Sequence, residues 1–272
     1  MTSVEWVATL IIACLLLLAW WLLFRTKRRH LEPFPETWRK LLHEHVDFYR
    51  DISSEGKKRF ETDVQIFLQD VEITGIETEI DDLDRLLVAA SAVIPIFRFP
   101  DWQYHNINEV LIYPGPFNQE YQTMKGEDRN ILGMVGSGSM QRMMILSRQA
   151  LRAGFQHTAS VHNAGIHEFV HLLDKADGAT DGIPELFLAR PYIIPWVKTM
   201  HQEIQAIQEG RSDINVYGAK NEAEFFSVVS EYFFRHPELL KERHPELYAM
   251  LDRIFGHTPS PLASAHGEEH GA

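Results

Sequence analysis

The chain has 272 residues, a formal net charge of −12 and a pI near 5.6. This length suits one sizeable domain, and the 45% of hydrophobic residues excludes a disordered protein. The acidic balance argues against nucleic acid as a partner, because phosphate binding needs a basic face. Cys14 is the single cysteine, which excludes an intrachain disulfide and a cysteine-ligated metal site.

The first predicted element is the apolar run Trp6–Phe24, which contains no charged residue. As a helix it would be roughly 28 Å long, close to the ~30 Å hydrocarbon thickness of a bilayer. A cleaved signal peptide, the alternative, needs basic residues before the run and a small-residue cleavage site after it. Here Glu5 precedes the run and "RTKRRH" follows it. We therefore expect residues 1–30 to be an uncleaved single-pass anchor in the inner or plasma membrane, with the following domain in the cytoplasm.

Helical periodicity dominates the next segment. Apolar residues at spacings of three and four predict helices over Glu36–Arg50 and Gly56–Asp70. The stretch "DDLDRLLVAASAVIPIF" begins with aspartates suited to a helix N-terminus and is apolar on nearly all sides. It predicts a buried helix that ends near Pro95.

The central part of the chain has a different pattern. The short apolar runs "NEVLIYP" and "RMMILS", together with Ile131–Val135, predict strands of a small sheet. Helices are predicted again from Val161 to Phe255, and residues 258–272 have the composition of a disordered tail. The predicted fold is a mostly helical α+β domain over residues 36–257.

The stretch "IHEFVH" contains two histidines four residues apart. On a helix, His167 and His171 differ by about 40° in direction and about 6 Å along the axis, so both rings can face one ion. Glu168 points about 100° away and can reach a water molecule at that ion. This is the H-E-x-x-H pattern of two metal ligands and a general base. The alternative is a pair of hydrogen-bonded core histidines, because the surrounding residues are nearly all apolar.

A catalytic zinc site needs a third protein ligand. The later stretch "NEAEFFSVVSEYFF" offers Glu222, Glu224 and Glu231, and the Gly-rich "DGATDG" offers Asp181. Glu231 lies seven residues after Glu224, on nearly the same helix face, and can alternatively accept a hydrogen bond from a ligand histidine. The residues alone leave these choices open.

The stretches "NEVLIYPGPF", "IHEFVHLLD", "GIP" and "AEFFSVVSEYFF", in this order, resemble the Mlc titration factor A family of zinc peptidases. The resemblance covers roughly residues 95–255. It implies a zincin-like fold and one Zn²⁺ ion per chain, with Glu224 as the third metal ligand beside His167 and His171. It also implies that Tyr217 stabilises the oxyanion of the reaction, and that a regulatory protein is a partner.

These observations predict a membrane-anchored zinc metallopeptidase that acts on peptides or proteins, with Glu168 as its general base. By analogy with zincins, we expect the substrate to lie along the strand "RMMILS" at the sheet edge. The alternative from another class is a membrane-tethered module that sequesters a regulatory protein, with structural or vestigial zinc. Hydrolysis of a non-peptide amide or ester is a third reading of the same site.

Overall fold

The computed structural model describes residues 31–100, 102–118, 131–136, 141–156 and 161–256. Contacts divide the chain into two compact units, Met1–Pro33 and Phe34–Ala272, and all elements described below belong to the second. Within the described ranges, no helix combines the length and apolar character needed to cross a membrane. The predicted anchor and the predicted tail both lie outside these ranges, and the predicted domain limits of 36–257 stay a prediction.

The described part is mostly helical, with one small sheet, as the sequence predicts. Its α-helices are α1 (Glu36–His45), α2 (Asp47–Asp51), α3 (Ser54–Asp70), α4 (Asp82–Ile96), α5 (Arg148–Gly154), α6 (Ala164–Asp174), α7 (Ile193–Gln208), α8 (Glu222–Arg235), α9 (Pro237–Arg243) and α10 (Pro245–Phe255). The prediction of one helix over residues 36–50 is wrong, because Val46 adopts an extended backbone between α1 and α2. Val46 is buried in the core at this break.

Four strands form a mixed sheet in the order β1-β2-β4-β3. They are β1 (Glu72–Gly75), β2 (Glu109–Tyr113), β3 (Gly133–Val135) and β4 (Met143–Ser147). Strand β2 pairs in parallel with β1 and β4, whereas β3 pairs antiparallel with β4. The expectation that "RMMILS" forms the sheet edge is therefore wrong, since β4 is paired on both sides. Its continuous apolar run is typical of such an inner strand.

Helix α4 is the buried helix predicted from its apolar sequence. Asp81 caps its N-terminus in a capping box with Asp84, and every residue from Leu86 to Pro95 is buried. Helix α6 crosses α4 at very close range. A Cβ atom added at Gly165 would lie only 2.2 Å from Ser91 Oγ, so only glycine fits at this position. The close crossing fixes α6, which contains the two histidines, against the centre of the core.

Candidate metal centre

Helix α6 begins at a polar cap and continues through the apolar core. The Asn163 side chain accepts a hydrogen bond from the Ile166 backbone N–H at 3.0 Å, which defines the first turn. Phe169 and Val170 are fully buried and hold the helix in place. Because those side chains take the core-facing positions, the rings of His167 and His171 are turned toward α8.

The metal-ligand candidates of the sequence analysis lie together. Single donor atoms of His167, His171 and Glu224 all lie within 4.8 Å of one another. Glu224 Oε2 is 3.0 Å from His167 Nε2 and 3.2 Å from His171 Nε2. Two imidazole nitrogens and one carboxylate oxygen that converge on one point form a donor set suited to a divalent transition metal.

Glu224 is positioned by the first turn of α8. Asn221 caps this helix by accepting a hydrogen bond from the Glu224 backbone N–H at 2.9 Å. Phe225 and Phe226, the next two residues, are fully buried and anchor the turn. The second oxygen of Glu224, Oε1, accepts hydrogen bonds from Lys220 Nζ at 2.9 Å and from the Tyr217 hydroxyl at 3.1 Å.

Glu231 contacts His167, one of the metal-ligand candidates, on the side of the ring away from Glu224. Its Oε1 lies 2.7 Å from His167 Nδ1, and its Oε2 lies 2.8 Å from His162 Nδ1 and also accepts the Asn163 backbone N–H. With a proton on Nδ1 held by Glu231, the Nε2 lone pair of His167 is directed at the metal position. The sequence analysis allowed this role for Glu231. From the sequence, His162 is interpreted as a polar residue on another face and not as a ligand, and its contact with Glu231 is not predicted.

The carboxylates of the centre differ in proton affinity. Burial raises the pKa of Glu168 above its usual value, more than the charges of His167 and His171 lower it. Burial acts in the same direction on Glu224, but hydrogen bonds from His167 and His171 outweigh it and hold the pKa of that carboxyl well below its usual range. Glu224 is thus kept ionised, as a ligand must be, while Glu168 has the raised proton affinity expected of a general base.

Glu168 lies against the backbone of strand β3. A Cβ atom added at Gly133 would be 2.6 Å from Glu168 Cγ and 2.8 Å from its Oε1. A glycine is therefore needed at this point of the strand if the carboxylate is to stay where it is. The contact places Glu168 between the metal-ligand candidates and the edge of the sheet.

Tyr217, the other predicted catalytic residue, lies at the mouth of the centre. It belongs to the 3₁₀ turn Val216–Ala219, just before α8, and is 46% exposed. Its ring centroid is 6.0 Å from that of His167. The hydroxyl group can therefore reach a substrate that lies over the histidine.

Asp181 and Asp174 do not belong to the group of converging donor atoms, which comes from His167, His171 and Glu224. Asp181 Oδ1 accepts a hydrogen bond from the Ile183 backbone N–H, and Asp174 Oδ2 accepts one from that of Gly182, both at 3.0 Å. Both carboxylates thus stabilise the loop that follows α6. Asp174 is fully buried, and burial raises its pKa to about 6.

Two cavities meet at this centre. The first has a volume of about 890 Å³ and extends toward Ala164 and Val228, whereas the second has about 600 Å³ and follows β3 to Gly136. Both volumes lie in the range of ligand-binding clefts. The walls common to both are Ile131, Gly133, His167, Glu168, Tyr217 and Lys220.

Two histidines and a glutamate that converge in a cleft, beside a buried glutamate, form the kind of site that metal-dependent hydrolases use. The sequence matches the glucose-regulated metallo-peptidase M90 family over residues 21–256, and the chain belongs to this family. The resemblance found in the sequence analysis is thereby confirmed.

Relatives cover most of the chain. Mlc titration factor A of Escherichia fergusonii is 30% identical over 226 residues, which are 79% of this chain and 84% of that protein. Mlc titration factor A of Cronobacter sakazakii is 30% identical over 240 residues, 80% of this chain and 89% of its own. A Synechocystis relative, named uncharacterized protein slr2042, is 28% identical over 86% of this chain and 89% of its own.

Proposed function

We propose that the chain is a zinc-dependent peptidase that hydrolyses peptide bonds. One observation carries the proposal: the converging nitrogens of His167 and His171 and the oxygen of Glu224 lie directly beside the buried carboxylate of Glu168. A structural zinc site is normally closed by four protein ligands and has no use for a fifth polar group. Three ligands with a free carboxylate beside them suit catalysis.

The donor set fits zinc, which is commonly held at catalytic sites by two histidines and one glutamate. When bound there, zinc supplies Lewis acidity, which polarises a carbonyl group and lowers the pKa of water. His167 and His171 would hold it through Nε2, and Glu224 through Oε2. Glu231 fixes the orientation of the His167 ring through Nδ1.

The remaining steps belong to side chains of this protein. Glu168 takes a proton from the attacking water and transfers it to the leaving amine, for which a raised pKa is favourable. The Tyr217 hydroxyl, which donates to Glu224 Oε1 in the structure, would turn its proton to the oxyanion of the tetrahedral intermediate, without becoming charged. Its partial exposure leaves the hydroxyl accessible to a substrate in the cleft.

Strand β3 ends the sheet as far as the described residues go, and its outer edge offers a place for the peptide backbone. Leu132 C=O accepts from Ser147 N–H, and Gly136 N–H donates to Met143 C=O. Because alternate residues of an antiparallel strand bond to the same neighbour, Gly133 and Val135 direct their N–H and C=O groups away from β4. An extended peptide can pair with these groups and so lie across Glu168. The position of helix α6, with its H-E-x-x-H pattern, against the edge strand β3 supports a zincin-like fold.

The cellular setting is part of the proposal. The apolar run at residues 6–24, followed by basic residues, supports a single-pass membrane anchor with the peptidase domain in the cytoplasm. A reporter fused after Ala272 should then be active in the cytoplasm, and activity only outside the membrane would contradict this topology. The name of the curated relatives, Mlc titration factor A, supports a regulatory protein as substrate or binding partner.

The proposal is tested by replacing Glu168 with glutamine. Glu168→Gln keeps the shape of the side chain and both histidines but cannot accept the proton, so zinc should stay bound while turnover falls by ~10²–10⁴. Zinc content and cleavage of a peptide library are measured on the full-length chain, with Glu238→Gln on exposed α9 as the control for the lost charge. Equal turnover in wild type and Glu168→Gln would remove this residue from the mechanism. Unchanged partner binding without any cleavage would favour the sequestering module instead.

A further inference from the structure

Lys220 lies at the mouth of the metal centre and contacts both Tyr217 and Glu224. We propose that Lys220 is a positioning residue for Tyr217. It holds the Tyr217 hydroxyl beside the metal centre, and it keeps Glu224 hydrogen-bonded when that hydroxyl turns to the oxyanion. The proposal rests on the proposed peptidase function and adds to it the residue on which the use of Tyr217 depends.

The 3₁₀ turn Val216–Ala219 places Lys220 beside Tyr217. Side chains three residues apart lie on the same side of such a turn, and the Lys220 backbone N–H donates to the Tyr217 C=O at 3.2 Å. Asn215 fixes the start of the turn by accepting a hydrogen bond from the Tyr217 backbone N–H at 2.9 Å. Gly218, inside the turn, is buried. The turn thus directs the side chains of Tyr217 and Lys220 to the cleft, where both line the two cavities.

The ammonium group of Lys220 contacts Tyr217 in two ways. Its Nζ donates a hydrogen bond to the hydroxyl oxygen at 3.1 Å and lies 4.8 Å from the centre of the ring. The contact with the ring is a cation–π interaction, which restrains a side chain that is otherwise 46% exposed. A hydrogen bond accepted by the hydroxyl oxygen also polarises the O–H group and makes it a stronger donor. Lys220 therefore fixes the place of the hydroxyl and improves its ability to stabilise an anion.

The hydrogen bond from Lys220 to Glu224 allows the Tyr217 hydroxyl to move. In the structure this hydroxyl donates to Glu224 Oε1 at 3.1 Å, so it has to leave that oxygen before it can donate to an oxyanion. Loss of a hydrogen bond costs free energy for a carboxylate whose side chain is only 12% exposed. Lys220 Nζ, at 2.9 Å from the same oxygen, keeps it hydrogen-bonded. The hydroxyl can then turn while the metal-ligand candidate stays in place.

An ordinary ion pair on the helix is the alternative role for Lys220. Lys220 precedes Glu224 by four residues, and its side chain is 55% exposed. Exposed pairs of this kind add little to stability. An ion pair acts on Glu224 whether or not Tyr217 has a hydroxyl group, whereas a positioning residue acts through that hydroxyl. Removal of the hydroxyl therefore separates the two roles.

The test is a double-mutant cycle on the zinc-loaded, full-length protein, with the zinc content confirmed for each variant. Lys220→Met keeps the length of the side chain without its charge, and should lower kcat for peptide cleavage by about tenfold with KM changed less than about twofold. Lys220→Arg should recover most of this loss. In the Tyr217→Phe background, Lys220→Met should change kcat by less than about twofold. Lys198→Met, which removes an exposed lysine that lines neither cavity, is the control for the lost charge.

A second measurement does not depend on cleavage. A phosphinic tripeptide carries an anionic tetrahedral group that resembles the intermediate of the reaction, and its Kd for the zinc-loaded protein is measured by calorimetry. Lys220→Met should raise this Kd by about tenfold when the Tyr217 hydroxyl is present. The same substitution should raise it by less than about twofold in the Tyr217→Phe background.

Each outcome decides the proposal. An equal fall of kcat in both backgrounds would overturn it, because Lys220 would then act on Glu224 or on the fold. A higher KM with unchanged kcat would also overturn it, because Lys220 would then only bind the substrate. If wild type cleaves no peptide, the peptidase function fails, and the phosphinic tripeptide decides the role of Lys220. A loss of affinity that requires the Tyr217 hydroxyl would support positioning, whereas equal losses, or no binding to wild type, would overturn it.

Discussion

Two of the buried carboxylates in the described part of the domain, Asp84 and Glu231, are held in different ways. Asp84, on α4, accepts hydrogen bonds from Arg148 Nε at 2.9 Å and from Arg152 Nε at 2.7 Å. Glu231, on α8, is bonded instead to His167 and His162. Both acids are almost inaccessible to solvent, with 0% and 2% exposure.

The difference lies in the partners. An arginine keeps its charge at any accessible pH and has no lone pair to offer, so the Asp84 pairs are complete. A histidine that uses Nδ1 to hold a carboxylate still has Nε2 available for a metal. A buried acid beside arginines thus joins α4 to α5, whereas a buried acid beside histidines leaves a ring nitrogen available for a metal ion. Burial of charge by itself does not distinguish structure from function.

The largest effect on stability is expected in the arginine-paired region. Asp84→Ala leaves two guanidinium groups without their buried partner and should lower the free energy of unfolding by about 3 kcal/mol, the lower end for a broken buried pair because both arginines touch solvent. Asp81→Ala, which removes a half-exposed acid from the same cluster, should cost about 1 kcal/mol, mainly as a lost N-cap. Chemical unfolding of the two variants measures the difference. Equal losses of unfolding free energy in the two variants would mean that the burial of Asp84 does not strengthen its ion pairs with the arginines.

In the histidine-paired region, removal of the buried charge should lower the zinc affinity more than the free energy of unfolding. Glu231→Gln retains an acceptor for one neighbour but removes the charge that orients His167, so zinc affinity should fall by about 10–100-fold. Competition with a chelator measures the affinity, and Glu238→Gln serves as the distant control. Loss of stability with unchanged zinc affinity would place Glu231 with Asp84, as a structural acid.

A smaller effect, on the rate of the reaction, is expected at Gly133, where strand β3 lies against Glu168. Gly133→Ala should displace the Glu168 side chain by about 1 Å and lower kcat by about tenfold or more, with zinc affinity and stability little changed. Steady-state kinetics measure kcat, and metal titration measures the zinc affinity. Gly115→Ala is the matched control, since its added Cβ would find its nearest neighbour, Gln149 Oε1, at 3.8 Å. A fall in kcat in both variants would show that the close contact with Glu168 is not the cause.

The sequence predicts part of the geometry that brings the metal-ligand candidates together, because that part is local. The spacing of His167 and His171 is set by one helical turn, and Glu224 follows a cap, Asn221, in the first turn of its own helix. The choice of Glu224 over Glu231 needed the family resemblance, because both lie on one helix face. Only the packing of α6 on α8 decides which carboxylate reaches the two Nε2 atoms.

The errors concern relations between elements that are distant in the chain. The apolar run of β4 is typical of an inner strand, and the analogy with zincins nevertheless assigned the sheet edge to it, which is wrong. Strand β1 was missed because it has only four residues and two of them, Glu72 and Thr74, are polar. The links from Glu231 to His162 and from Asp84 to its arginines join residues more than sixty positions apart, and no local pattern reports them.

The close crossing of α6 and α4 has a consequence for the evolution of this chain. Gly165 meets Ser91 so closely that a larger residue at either position would push the two helices apart. Larger residues at these two sites can therefore be accepted only together with a shift of the whole helix, which would also move His167 and His171. A glycine two residues before the first histidine should persist during divergence for a steric reason, even though it takes no part in the reaction.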